Sequence, residues 1–119
     1  MHKGKKISGG RYTKQRKKRL YELPGQKRIV KLGKEKRKKK RIKGGKKKIF
    51  LLGTDSINVF DKGKSKKVKI KKVIETPSNK FLARQNVITK GTIIDTEIGK
   101  VKVTNRPSQE GVLNGILVE

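Results

Sequence analysis

The chain has 119 residues, 36 of them Lys or Arg and 9 Asp or Glu, a formal charge of +27 at pH 7. Only 30% are hydrophobic and 4% aromatic, so one domain at most is expected, without a core running through the whole chain. With no cysteine, a disulfide framework and a Cys-based zinc site are excluded.

No stretch approaches the roughly 18 consecutive apolar residues of a membrane span. The first twenty residues hold no apolar run of the length of a secretory signal, so a soluble, intracellular protein is expected. Charge of this density repels itself unless a polyanion neutralises it, whether nucleic acid, an anionic membrane surface or an acidic protein.

In chain order, a basic extension comes first. Residues 1–48 carry 23 Lys and Arg against two acids, Glu22 and Glu35, a net +21, whereas residues 49–119 net only +6. That asymmetry divides the chain into an extension, 1–48, and a small folded body, 49–119. Ile7, Leu20, Leu23, Ile29, Val30, Leu32 and Ile42 hold neither a helical nor a strand period. Without an apolar face the extension cannot offset its ordering entropy by burial, so it is expected to order against its partner. Arg11–Glu22 is the segment open to a helix there. Gly9-Gly10 and Gly44-Gly45 bracket the extension and permit sharp turns or close backbone approach.

The body reads as short strands. Lys48–Leu52 is a brief apolar run, and Ile57–Phe60 follows a turn-prone Gly53-Thr-Asp-Ser. Lys66–Glu75 alternates, with Val68 and Ile70 on one face and Lys67, Lys69 and Lys71 on the other, the period of a half-buried strand. Thr92–Ile98 and Lys100–Thr104 flank Gly99 as a hairpin, with Ile94, Thr96 and Ile98 on one face. Asn105–Gly111 is a turn by composition, and Val112–Val118 is a last strand. Six or so strands over about 70 residues predict an all-β body, a small curved antiparallel sheet or barrel. Closure would remove the exposed edges of a flat sheet.

The chemistry open to these residues is mostly electrostatic. His2 is the one histidine and is expected to be a solvated tail residue. Asp95 and Glu97 share a strand face and are candidates for an acid/base pair or metal clamp, but balancing neighbouring lysines is the simpler role. Catalysis is therefore not expected, and no metal or cofactor is. The positive signal lies in three basic runs: Arg16, Lys17, Lys18 and Arg19; Lys36 to Arg41, with Arg37, Lys38, Lys39 and Lys40; and Lys46, Lys47 and Lys48. Lys5, Lys6 and Arg28 add to them. Each phosphate such a run neutralises releases counterions, so binding weakens by about 0.7 to 0.9 log units per contact per log of salt. Tyr12 and Tyr21 either stack on unpaired bases or pack where the extension meets the body. Phe50, Phe60 and Phe81 are read as core, which leaves too few aromatics for a dedicated single-strand reader and favours shape and backbone recognition of folded RNA.

Ser8-Gly9-Gly10-Arg11, followed by Arg16-Lys17-Lys18-Arg19 and Tyr21-Glu22-Leu23, resembles the opening signature of small-subunit ribosomal protein eight of the archaeal/eukaryotic type. Arg41-Ile-Lys-Gly44-Gly45 is similar to that family's second basic glycine pair. Asn86–Gly91, Ile94–Lys100, Val103–Pro107 and Gly111–Asn114 continue the pattern in order, so the resemblance covers essentially the whole chain. Ser8, Pro24, Lys46 and Ser108 depart from the usual residues, and the chain lacks the long insertion of eukaryotic members, as in the compact archaeal form.

The resemblance implies a six-stranded barrel-like body with a long basic N-terminal extension that orders on RNA. It implies a cytoplasmic, ribosomal location and a structural part in subunit assembly and translation. The implied partners are small-subunit ribosomal RNA and other small-subunit proteins, with no membrane partner and no homo-oligomer. It points to Gly9, Gly10, Arg11, the run from Arg16 to Arg19, Arg41, Gly44, Gly45 and Arg106 as RNA neighbours. Two other readings remain open on charge and side-chain type alone: a chromatin-like DNA-binding protein, and a nucleic-acid-processing enzyme using Asp95 and Glu97.

Overall fold

The computed structural model describes residues 4–13, 15–61 and 63–118. Among them are eight strands: β1 Lys31–Leu32, β2 Lys36–Arg41, β3 Lys47–Thr54, β4 Ser56–Asp61, β5 Lys64–Glu75, β6 Ile93–Thr96, β7 Lys100–Val103 and β8 Asn114–Leu117. One short helix, α1 Lys80–Arg84, follows β5, and 3-10 turns occupy Leu20–Glu22 and Lys43–Gly45.

The last five strands close a barrel in the order β4-β5-β6-β7-β8. Its neighbours run antiparallel except at the closure, where β4 and β8 pair in parallel, Asn58 opposite Asn114. The side chains of those two asparagines bond to each other there, Nδ2 to Oδ1 at 3.2 Å. The barrel is thus five-stranded, not six-stranded as expected. The missing strand is β3, read from sequence as part of the same sheet. It instead centres a separate three-stranded sheet, β1-β3-β2.

Period-two patterning builds the barrel interior. Ile57 and Val59 of β4, Val68 and Ile70 of β5, Ile94 of β6, and Val101 and Val103 of β7 are buried, while Lys67, Lys69, Lys100 and Lys102 are exposed. In β5 the register shifts between Ile70 and Lys72, so the inward parity changes and Val73, not Lys72 or Ile74, turns in. Ile74 is left 40% exposed. Gly115 of β8 lies where the wall is tightest: a Cβ there would be 2.5 Å from Val101 Cγ1 and 2.9 Å from the Lys102 carbonyl oxygen.

The hairpin between β6 and β7 forms as the sequence predicts, Asp95 opposite Lys100. However, β6 ends at Thr96, and Ile98 lies beyond it, exposed. Phe50 is buried as expected, but Phe60 and Phe81 are 58% and 70% exposed and belong to no core. Phe60 points outward because β4 places Ile57 and Val59 inward.

The segment before β3 is tied into this body. Val30 is 1% exposed and belongs to the core cluster with Leu51, Ile88 and Leu113. Ile88 N–H donates to the Val30 carbonyl at 2.9 Å, Leu32 N–H to Asn86 at 3.0 Å, and Gly33 N–H to Thr54 at 3.1 Å. β2 then runs antiparallel to β3 along six residue pairs. The radius of gyration is 21.7 Å, where a compact chain of this length has about 13–14 Å.

Candidate nucleic-acid interface

Strand β2 reads Lys-Arg-Lys-Lys-Lys-Arg, and every residue of it is exposed. It has no apolar face, so it exists as a strand because β3 supplies a hydrogen-bonding ladder. That pairing sets Lys40 opposite Lys48 and Arg41 opposite Lys47. Like charges directly opposite each other across a ladder destabilise it. The turn closing the ribbon carries Lys43, Gly44, Gly45 and Lys46, with Gly44 and Gly45 at φ 76° and 73°. Glycine is needed there because side-chain-bearing residues rarely adopt that backbone. Arg37, Lys38, Lys39, Lys40, Arg41, Gly44, Gly45, Lys46, Lys47 and Lys48 are therefore all brought onto one cationic hairpin.

The N-terminal candidates lie apart from it in the fold. Lys5 and Arg11 form a β-bridge, and Lys6 N–H donates to the Gly10 carbonyl while Gly9 N–H donates to that of Lys6, both at 2.8 Å. The Gly9-Gly10 pair thus makes a sharp turn that gathers Lys5, Lys6 and Arg11. Lys6 Nζ sits 5.8 Å from the Tyr12 ring centroid. Among the described residues of the segment 11–22 the one helical stretch is the 3-10 turn Leu20–Glu22 at its end. Tyr12 and Tyr21 are 52% and 76% exposed. His2 lies outside the described residues.

Both acids of the basic half hold an arginine. Arg16 donates to both oxygens of Glu22, at 2.6 and 2.9 Å, and the Arg19 N–H adds a bond at 2.9 Å. The Arg16 guanidinium, with the Arg19 amide second, holds the Glu22 carboxyl below its usual range, and Arg16 is raised in return. Glu35 pairs with Arg37 at 2.5 Å. Lys17, Lys18 and Arg19 stay exposed beside the first pair.

Arg28 and Arg106 come from distant parts of the chain yet line one groove. Its volume is about 300 Å³, and Lys27 and Lys90 join them there. Val30, Leu82, Val87, Ile88 and Pro107 form its apolar lining. Arg28 is stacked on the Phe50 ring, its guanidinium carbon 3.9 Å from the centroid. Arg106 is carried by a loop that Asn105 braces: its Nδ2 donates to Glu110 and the Val112 carbonyl at 2.8 Å, and its Oδ1 accepts from Asn114 N–H at 3.0 Å. The sequence reading missed Lys27 and Lys90, since each stands alone among uncharged residues or beside one other cation. It also missed α1, although Asn79 before Lys80-Phe81-Leu82 is an N-cap signal, and its Oδ1 accepts from Phe81 N–H at 2.9 Å.

Asp95 and Glu97 do not converge. Asp95 lies between Lys72 and Lys100 in the strand register, whereas Glu97 borders a separate depression with Asp55, Lys67 and Lys69. Among the described residues no group of three or more His, Cys, Asp or Glu is placed to hold a metal ion. No helix among them is long and apolar enough to cross a membrane.

The family model for Ribosomal protein S8e matches residues 1–118. Relatives called small ribosomal subunit protein eS8 agree along nearly their full length. That of Staphylothermus marinus is 48% identical over 118 residues, covering 97% of this chain and 92% of its own. That of Nanoarchaeum equitans is 45% identical over 115 residues, covering 95% and 91%. That of Methanocella arvoryzae is 42% identical over 116, covering 96% and 93%. The chain belongs to the ribosomal protein S8e family, and with it to the structural components of the ribosome rather than to the enzymes.

Proposed function

We propose that this protein is a structural constituent of the small ribosomal subunit that holds ribosomal RNA through its basic N-terminal residues and supports subunit assembly and translation. The observation that carries the reading is strand β2 of the β2–β3 hairpin, which has no apolar face and whose end sets Lys40 opposite Lys48 and Arg41 opposite Lys47. The opposed cations cost the free protein stability, whereas phosphates lying along them turn the repulsion into charge-assisted bonds. In this reading Lys5, Lys6, Gly9, Gly10, Arg11, Lys17, Lys18, Arg19 and Tyr21 follow a second stretch of backbone. Residues 1–48 are the binding extension and 49–119 the anchoring body. The partners are small-subunit RNA and neighbouring small-subunit proteins, in the cytoplasmic ribosome.

Sedimentation of a cell lysate at moderate salt tests it. The protein is expected with the small subunit; recovery only in the light, ribosome-free fraction overturns the proposal. Competition between ribosomal RNA fragments and duplex DNA at matched phosphate separates it from a chromatin-like role: RNA is expected to displace more strongly, and equal displacement favours DNA.

A further inference from the structure

The groove beside Arg28 has features that phosphate tracking does not use. A backbone-following surface needs exposed cations and nothing beneath them, as on β2. Here the cations ring an apolar interior: Val30, Val87, Ile88 and Pro107 are buried, and Lys27, Arg28, Lys90 and Arg106 are exposed around them. At about 300 Å³ the space lies at the lower end of the range that takes a small organic ligand.

Arg28 is the second observation. Its guanidinium carbon lies over the Phe50 ring, 3.9 Å from the centroid, and Phe50 is 3% exposed, so the arginine rests on a ring packed into the body. The residue is itself exposed and lines the groove, so its guanidinium is accessible to a further flat group. Stacking on an arginine plane is one of the ways proteins hold a splayed-out RNA base. Asn79 also lines the groove; its Oδ1 caps α1, which leaves its amide donors for a ligand's polar edge. Ser108 adds a hydroxyl at the same wall.

We infer that this groove receives one unpaired nucleotide of the bound RNA. The base lies on the Arg28–Phe50 stack over the apolar floor, and its flanking phosphates are held by Lys90 and Arg106. This deepens the RNA-binding reading and rests on it. It assigns the body, and not only the basic extension, a contact with RNA that depends on a base being present.

The full chain is tested with a short oligouridylate and with its fully abasic counterpart, which carries the same phosphates. Wild type is expected to bind the base-bearing strand about tenfold more tightly. Arg28→Lys keeps the charge and loses the plane; Ser108→Phe fills the groove and keeps every charge. Each is expected to abolish the preference while leaving abasic affinity and its salt dependence unchanged. Thermal melting checks folding, and Ser108→Phe keeps the test valid should Arg28→Lys unsettle Phe50. Equal binding of the two strands by wild type, or a preference that survives both variants, overturns the groove assignment while RNA binding stands. Failure to bind either strand, or the parent ribosomal RNA, defeats the RNA reading itself. Displacement by poly-glutamate that Ser108→Phe abolishes would instead assign the groove to an acidic protein.

Discussion

Arg16 is a cation the protein already uses. Its two bonds to Glu22 tie it to the 3-10 turn, so Lys17, Lys18 and Arg19 lie on a segment held at both ends. Because the Glu22 carboxyl is depressed in the folded chain, its pairing stabilises that segment above the ordinary carboxylate range and is lost as pH falls through the depressed value. Carboxyl titration by NMR is expected to give Glu22 a midpoint below those of exposed glutamates; an ordinary midpoint means the pair does not persist in solution. Gly115 is a sharper case, since a methyl there meets Val101, Ile57 and the Lys102 backbone. Gly115→Ala is expected to cost about 1–3 kcal/mol in chemical denaturation. Single residues were also where the sequence was hardest to read. Phe60 and Phe81 carry apolar rings on outward or peripheral positions, and nothing in residue type distinguishes them from Phe50. Val30 is a lone buried side chain in a charged stretch, so it leaves no period to detect.

Among the elements, those with alternating apolar residues were legible and those held by a neighbour were not. Val68 and Ile70 announce β5, but the register shift after Ile70 redirects Val73, and a shift of that kind leaves no mark in composition. β2 has nothing to bury and forms because β3 offers a ladder, which local sequence does not encode. The opposed Lys40 and Lys48 yield a prediction about the free protein. Lys40→Thr removes one repulsive pair and suits a strand, so it is expected to stabilise the isolated chain by about 0.2–1 kcal/mol in urea unfolding. No gain would mean the hairpin does not form without RNA. The same ladder bears on truncation. A fragment beginning at residue 27 retains Val30 and all eight strands, and its melting curve is expected to match the full chain. A fragment beginning at residue 49 loses Val30, β1 and β2, and is expected to melt lower by circular dichroism.

At the scale of the molecule, a charge of +27 meets a small barrel core and a radius well above that of a compact chain. The all-β class and the unequal charge of the two halves were legible from alternation and counting. The five-strand closure, the second sheet and the meeting of Arg28 with Arg106 depend on contacts between distant residues, and no local pattern carries them. In the proposed function much of the RNA affinity rests on the β2–β3 hairpin, and its salt dependence is the direct readout. Affinity for small-subunit ribosomal RNA, measured against salt, should be compared between the full chain and a variant with Lys38, Lys39, Lys40 and Arg41 changed to glutamine. The variant's slope is expected to be shallower by about 3 to 4; an unchanged slope would show that the hairpin does not lie on RNA.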